Sequence, residues 1–192
     1  MDITDIVYNS CQTNSFDRYH RLNEEQILPK IFNKICYIYG QIKPKKIFFL
    51  TVDGVTPRIK MNQERSKQFQ SAKESLIKRE PLADVVLPGT AFMARLTAQL
   101  RYLVAKKMSE DIEWRDVEVI VSGPDVPGES MHKIGEYIRL CKSQVDYDPN
   151  TKHCLYGVRD DLLLVSLATH EPHFTLVCEQ DDTQNASERK KR

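Results

Sequence analysis

The segment Lys45–Val52, KKIFFLTV, is apolar over almost its whole length and ends directly at Asp53-Gly54. A continuous run of this kind, rich in β-formers and closed by a turn, is typical of a strand that is buried on both faces of a sheet. Such a strand needs a covering layer on each side. The segment therefore predicts a layered fold in which Asp53 lies at the carboxyl end of a central strand.

Strand-like and helix-like segments alternate along the rest of the chain. The spacing of apolar residues predicts a helix from Glu24, which Gly40 can end, and another after Thr90. Further strands are predicted at Val117–Gly123, His153–Val158 and His173–Cys178, and further helices at Arg58–Arg79, Ser130–Gln144 and Leu162–Ala168. We expect an α/β fold with a mainly parallel sheet flanked by helices, and ligands beyond the carboxyl ends of its strands.

Composition excludes several classes of protein. The chain has 192 residues, enough for one ordinary domain, and no apolar stretch approaches the roughly 18 residues of a membrane span. Its five cysteines are scattered and never stand in a CxxC spacing, which argues against a disulfide framework or a zinc site. We expect a soluble, intracellular protein. The formal net charge is only +1, so any contact with nucleic acid must be local.

Carboxylates follow three of the predicted strands: Asp53 after the first, Glu129 after the second and Asp160-Asp161 after the third. Asp2 and Asp5 offer a further group. Acids gathered at one end of a parallel sheet repel one another unless a cation lies between them, and oxygen ligands favour Mg²⁺ or Mn²⁺. Two such ions can support phosphodiester cleavage. The alternative is that these acids only cap helices or form turns, as most loop aspartates do.

Four longer segments resemble, in order and spacing, the signature segments of the Xrn family of 5′→3′ exoribonucleases. They are FFLTVDGVTPRIKMNQERSKQF (Phe48–Phe69), PGTAFMARL (Pro88–Leu96), VPGESMHKIGEYIR (Val126–Arg139) and DPNTKHCLYGVRDDLLLVSLATHEPHF (Asp148–Phe174). The resemblance implies an α/β nuclease that uses Mg²⁺ or Mn²⁺ and removes nucleotides from 5′-monophosphorylated single-stranded RNA. It also implies that residues 1–178 are an incomplete N-terminal nuclease domain. We expect residues 179–192, which are polar, to form a disordered tail.

The resemblance assigns four catalytic, metal-binding acids to this chain: Asp2, Asp53, Glu129 and Asp161. Two further acid positions of the family are substituted. Its pattern PGEGEHKI appears here as PGESMHKI, with Met131 at the second acid, and YGLDADL appears as YGVRDDL, with Arg159 at the first aspartate. A thioether does not suit a hard cation, so we expect weak metal binding. Without a preceding strand, Asp2 is expected to be a free terminus that is poorly presented to a metal.

The basic segment Arg58–Arg79 holds seven basic and two acidic residues and corresponds to the family's 5′-phosphate pocket. Lys60, Arg65 and Lys67 are expected to bind RNA there, and Tyr8 to stack on a base. Against the family pattern KMNQQRSRRF, Glu64 introduces an anion and Gln68 removes a guanidinium. At the start of the helix after Glu129, His132 and Lys133 are expected to touch substrate phosphates.

Three functional hypotheses follow. The first is a 5′→3′ exoribonuclease of RNA decay with impaired activity. The second is a catalytically inactive paralogue that binds RNA or protein, and the third is a gene fragment that does not fold stably and whose uncovered apolar surface would favour a protein partner. The segments IKPKKIFFLTVDG and HCLYG resemble the cytoplasmic members of the family more than the nuclear ones. We therefore expect the cytoplasm, with the nucleus as the alternative.

Overall fold

A computed structural model describes residues 1–11, 24–78, 86–157 and 161–178 of the chain. For Glu64, Lys67, Gln68, Ser71, Ala72, residues 74–78 and Asp161 it describes the main chain only. The described part contains helices α1 (Thr4–Cys11), α2 (Glu24–Ile42), α3 (Arg58–Lys78), α4 (Ala91–Glu110), α5 (Ile112–Arg115), α6 (Ser130–Lys142) and α7 (Asp161–Ala168), and strands β1 (Ile47–Thr51), β2 (Glu118–Ser122), β3 (His153–Tyr156) and β4 (Phe174–Val177). The predicted tail, 179–192, lies outside the described residues.

The strands form two parallel pairs, β1 with β2 and β3 with β4. Residues 1–3 join the pairs. The Thr51 N–H donates to the Met1 carbonyl and the Ile3 N–H to the Thr51 carbonyl, both at 3.0 Å, while the Asp2 N–H donates to the Tyr156 carbonyl at 3.0 Å. The order across the molecule is therefore β2, β1, residues 1–3, β3, β4, and the prediction of a mainly parallel sheet flanked by helices is confirmed.

Helices cover both faces of β1, as its continuous apolar run predicts. Phe48 and Leu50 pack into a large core with α1, α2 and α4, whereas Phe49 points to the opposite face, where its ring lies 4.8 Å from that of Tyr137 on α6. Trp114 on α5 closes one end of the large core by stacking on Tyr39. Because side chains alternate along β1, the strand packs against helices on both faces. This packing fixes the orientation of β1 and therefore the position of Asp53 at its end.

Two predicted features of the local structure are wrong. Gly40 does not end the second helix, which continues to Ile42 and gives way to Lys43 in the left-handed region (φ 50°). Asp2 is not a free terminus either, because main-chain hydrogen bonds to β1 and β3 hold it in the sheet and leave it 1% exposed. In the part of the chain that is described, no helix is both long and apolar enough to cross a membrane.

Candidate active site

The loops that follow β1 and β2 pair with each other beyond the strand ends. Gly54 N–H donates to the Gly128 carbonyl and Gly128 N–H to the Val55 carbonyl, both at 2.9 Å. A Cβ on Gly54 would overlap the carbonyl oxygen of Val126, so the two loops approach this closely only because residue 54 is glycine. The pairing sets Asp53 against the first turn of α6.

Asp53 is held by the amino ends of two helices. Its Oδ1 accepts a hydrogen bond from the Ser130 N–H at 2.6 Å, and its own N–H donates to Thr4 Oγ1 at 3.0 Å. The hydroxyl groups of Thr4 and Ser130 lie 3.1 Å apart, so Asp53, Thr4 and Ser130 form a closed ring of contacts. A carboxylate at a helix amino terminus is stabilised by the helix dipole and by the N–H groups that lack partners within the helix.

Glu129 and Lys60 form the second part of the site. Glu129 is the residue before α6, and its side chain does not cap that helix. Instead its Oε1 lies 2.8 Å from Lys60 Nζ in the first turn of α3, with the glutamate side chain 8% exposed and the lysine 41%. A carboxylate buried to this degree needs a charged partner. The Lys60–Glu129 ion pair therefore brings a predicted metal-binding acid into contact with a residue of the predicted 5′-phosphate pocket.

The Lys133 side chain is buried, so the expectation that it touches substrate phosphates is wrong. It is 6% exposed, and its Nζ donates to the carbonyls of Val52 at 2.9 Å and Gly123 at 2.8 Å. Burial lowers the pKa of Lys133, while the charges of Asp53 and Asp125 oppose that shift. His132, by contrast, is exposed. The chain thus places an ammonium group near Asp53, at the point where β1 and β2 end.

Asp2 contributes to the site through Thr4. Its Oδ1 accepts from the Thr4 N–H at 2.9 Å, and the Thr4 hydroxyl in turn contacts the Asp53 N–H. The structure therefore brings Asp2, Asp53 and Glu129 to one end of the sheet. The fourth predicted acid, Asp161, begins α7, and its side chain lies outside the described residues, as do Arg159 and Asp160.

Met131, which stands at a substituted acid position, packs into a second apolar cluster. It is 5% exposed and lies among residues of α6, β3 and α7: Ile134, Ile138, Leu155 and Leu162. The substitution has therefore placed an apolar side chain in an apolar environment. Its contacts support the fold on this side of the sheet, and the methionine is part of the core.

The carboxylate oxygens of Asp53, Glu129 and Asp2 suit a hard divalent cation in their chemistry. Three of these oxygens already accept from the Ser130 N–H, the Lys60 ammonium and the Thr4 N–H. Among the residues whose positions are described, no three or more His, Cys, Asp or Glu side chains are arranged to hold a metal ion. A cation that used these same oxygens would have to compete with these donors.

The predicted RNA-binding residues occupy exposed positions where they are described. Arg65 lies at an exposed position of α3, and Tyr8 on α1 is 46% exposed. Lys67 lies in α3, with its side chain outside the described residues.

The contacts of Thr4, Ser130 and Lys133 were not predicted from sequence. Thr4 and Ser130 are both small polar residues at helix starts, but only the start of α6 had been predicted from the sequence.

Comparison with known proteins identifies the family. The profile described as "XRN 5'-3' exonuclease N-terminus" matches residues 1–86 and 78–180. The chain is 42% identical to 5'-3' exoribonuclease 1 of Saccharomyces cerevisiae, over 94% of this chain and 13% of that protein. It is 41% identical to 5'-3' exoribonuclease 1 of Homo sapiens (94% and 11%) and 37% identical to 5'-3' exoribonuclease 2 of Gallus gallus (94% and 21%).

These relatives are much longer than the chain, which spans about a tenth to a fifth of their length. The exonucleases of the family are generally dependent on divalent metal ions. Both the order of the matched segments and the α/β fold agree with the resemblance seen in the sequence. The chain belongs to the XRN 5′-3′ exonuclease N-terminus family.

Proposed function

We propose that this chain forms part of a 5′→3′ exoribonuclease and recognises the 5′-monophosphorylated end of single-stranded RNA at the carboxyl ends of β1 and β2, with impaired hydrolysis there. One observation carries the proposal: Lys60 Nζ in the basic helix α3 lies 2.8 Å from Glu129 Oε1, and the next residue, Ser130, donates its N–H to Asp53. A candidate phosphate-binding cation and the candidate metal-binding acids thus lie at the same end of the sheet. The family supports the reaction class, and this juxtaposition supports the proposed location of the site.

Recognition of the phosphate would fall to Lys60, Arg65 and Lys67. Three cations within two turns of a helix attract a phosphate through charge, and their effect weakens as salt is added. Glu64 and Gln68 weaken the pocket, because one adds a negative charge and the other lacks the two-pronged guanidinium that grips phosphate oxygens. We expect RNA binding that is salt-sensitive and only mildly selective for the 5′ phosphate.

Asp53 and Glu129, with Asp2 and Asp161, would hold Mg²⁺ or Mn²⁺. A bound ion supplies charge for the attacking water and for the leaving oxygen of the phosphodiester. The chain's own contribution is to orient the acids: Ser130 fixes Asp53, and Lys60 faces Glu129. Because Met131 offers no oxygen ligand and Lys60 competes for Glu129, we expect cation binding in the millimolar range or weaker.

The second candidate function is RNA or protein binding without hydrolysis. The buried position of Met131 favours it, since an acid position of the family has here become part of the apolar core. If the second function is RNA binding, the two candidates differ only in turnover, and both put the RNA end beside Lys60. If it is protein binding, no RNA end is bound there.

The deciding experiment incubates the purified chain with 5′-monophosphorylated RNA labelled at its 3′ end, in Mg²⁺ and in Mn²⁺. We expect slow shortening from the 5′ end, abolished by Asp53→Asn and unaffected by Asp116→Asn, an aspartate beside β2 at the opposite end of the sheet. Turnover indistinguishable between the unmodified chain and Asp53→Asn would rule out hydrolysis at this site and leave the binding function. Degradation of 5′-hydroxyl RNA at the same rate would contradict recognition of the phosphate.

For localisation we propose the cytoplasm. Support comes from the segments IKPKKIFFLTVDG and HCLYG, whose sequences resemble those of the cytoplasmic members of the family. Imaging of the tagged chain in its native cells tests this, and accumulation in the nucleus would contradict it.

A further inference from the structure

Lys133 is only 6% exposed, yet its charged group lies where the two acid-bearing strands end. We propose that Lys133 is a positioning residue, an internal cation that fixes the carboxyl ends of β1 and β2 so that Asp53 and Glu129 face one common space. Its effect on cation and RNA binding rests on the proposed function. Its effect on the geometry of Asp53 does not.

The Lys133 ammonium has two main-chain acceptors, one at the end of each strand. Val52 precedes Asp53 at the end of β1, and Gly123 follows the last residue of β2. The Lys133 ammonium donates to both carbonyls, at 2.9 and 2.8 Å, and thereby links the two strand ends where the regular ladder stops. A buried ammonium group is costly unless it is paired, so these contacts define one position for the group rather than several.

The same side chain also ties the strand ends to α6. Lys133 lies one turn beyond Glu129, whose carbonyl accepts from the Lys133 N–H at 3.1 Å. Ser130, whose N–H donates to Asp53, belongs to that same turn. Displacing the Lys133 ammonium would therefore loosen three elements together: the end of β1, the end of β2 and the helix start that carries Glu129 and Ser130.

The charge of Lys133 has a second effect, because Asp53 and Asp125 both attract it. Acids that converge at a sheet end repel one another, and a nearby cation offsets part of that repulsion. Lys133 thus offsets repulsion on Asp53 at the end of β1 before any divalent ion arrives. This role is distinct from that of Lys60, which is partly exposed and open to exchange with substrate.

The test compares Lys133→Met, which keeps the length and removes the charge, with Lys142→Met as a matched control. Lys142 lies near the other end of α6, where its Nζ also donates to a main-chain carbonyl, that of Thr169, and pairs with the buried Glu171. Hydrogen exchange of the Ser130 amide is measured by NMR, because that N–H donates its hydrogen bond to Asp53 Oδ1. The Ile35 amide, in the middle of α2, reports global opening.

We expect Lys133→Met to speed exchange at Ser130 by at least about tenfold beyond the change at Ile35, whereas Lys142→Met changes both amides in parallel. Mn²⁺ affinity should fall about 10- to 100-fold in Lys133→Met and recover in part in Lys133→Arg, which keeps the charge. If Lys133→Met does not fold, Lys133→Gln, which keeps a neutral hydrogen-bond donor, is compared with Lys142→Met in the same measurements.

Parallel changes at Ser130 and Ile35 in the Lys133 variant would overturn the inference, since Lys133 would then only stabilise the fold as a whole. The exchange measurement needs no ligand, so it stands even if the unmodified chain binds no Mn²⁺. In that case the proposed function would fail while the positioning role would be decided separately.

Discussion

Lys60 Nζ lies 2.8 Å from Glu129 Oε1, so the first basic residue of α3 that faces the site pairs with a candidate metal ligand. A divalent cation and the lysine ammonium would compete for the same carboxylate. A phosphate that draws Lys60 towards itself would relieve that competition. The contact therefore links the two binding properties that the family resemblance assigns to separate residues.

Removing this competitor should strengthen cation binding. We predict that Lys60→Met raises Mn²⁺ affinity several-fold, because a positive charge within about 4 Å of a ligand opposes a second cation. Isothermal titration calorimetry measures the effect. Lys43→Met is the matched control, since Lys43 pairs with Glu113 at 3.4 Å near the opposite end of β1. Weaker Mn²⁺ binding in Lys60→Met would mean that the lysine supports the cation site.

Restoring the lost acid at position 131 should damage the fold. Met131 is 5% exposed among aliphatic side chains, so Met131→Glu would bury a carboxylate without a partner. We predict a loss of at least about 3 kcal/mol in the free energy of unfolding. Met131→Leu, which conserves volume, should cost less than about 1.5 kcal/mol. Denaturant titration compares them, and equal stability of the two variants would show that residue 131 can turn towards the acids.

The loop pairing beside Asp53 should tolerate no side chain at residue 54. We predict that Gly54→Ala lowers the free energy of unfolding by about 3 kcal/mol or more, because its Cβ would overlap the Val126 carbonyl. Gly40→Ala, in a helix with open space around it, should instead stabilise the chain by about 0.5–1 kcal/mol. Thermal denaturation of both variants tests the contrast. An unchanged melting temperature in Gly54→Ala would refute the close approach of the loops.

Stability at acid pH should depend on Glu171, which lies far along the sheet from the candidate site. Burial alone would raise the pKa of Glu171, but hydrogen bonds from Lys142 and Tyr147, together with the charges of Lys142 and His153, lower it below the ordinary value of 4.5. A carboxyl with a lowered pKa stabilises the fold above its unfolded-state pKa, and this contribution disappears as pH falls through the folded-state value.

We therefore predict that the melting temperature of the unmodified chain falls steeply below about pH 4.5, and that Glu171→Gln is less stable at pH 7 but flatter below that point. Glu136→Gln, at an exposed position of α6, should follow the unmodified chain. Scanning calorimetry from pH 7 to pH 3 measures the three curves. Identical pH dependence in Glu171→Gln would contradict the lowered pKa.

Local patterns in the sequence predicted much of this arrangement. The apolar run before Asp53 and the turn before Glu129 fixed the strand and the helix that carry these acids, because burial and capping act over a few residues. The burial of Asp2 could not be predicted in this way. Its main-chain partners, Thr51 and Tyr156, are far away in sequence, and only the assembled sheet brings them together.

Lys133 illustrates the other limit of sequence reasoning. A lysine at a helix start beside acids has the same local pattern whether it binds phosphate or lies buried. The acceptors that decide between these roles are the carbonyls of Val52 and Gly123, and main-chain carbonyls carry no sequence signal. Met131 is the intermediate case, since its apolar character was visible in the sequence but its burial was not.

The most direct test of the account is the affinity of the chain for two short RNAs that differ only in a 5′ monophosphate or a 5′ hydroxyl, measured by fluorescence anisotropy at low and physiological salt. We predict weak, salt-sensitive binding, a mild preference for the 5′ monophosphate, and loss of that preference in Lys60→Met but not in Lys43→Met. Equal affinity for the two RNAs at low salt, or a preference that survives Lys60→Met, would contradict a 5′-phosphate site beside Glu129.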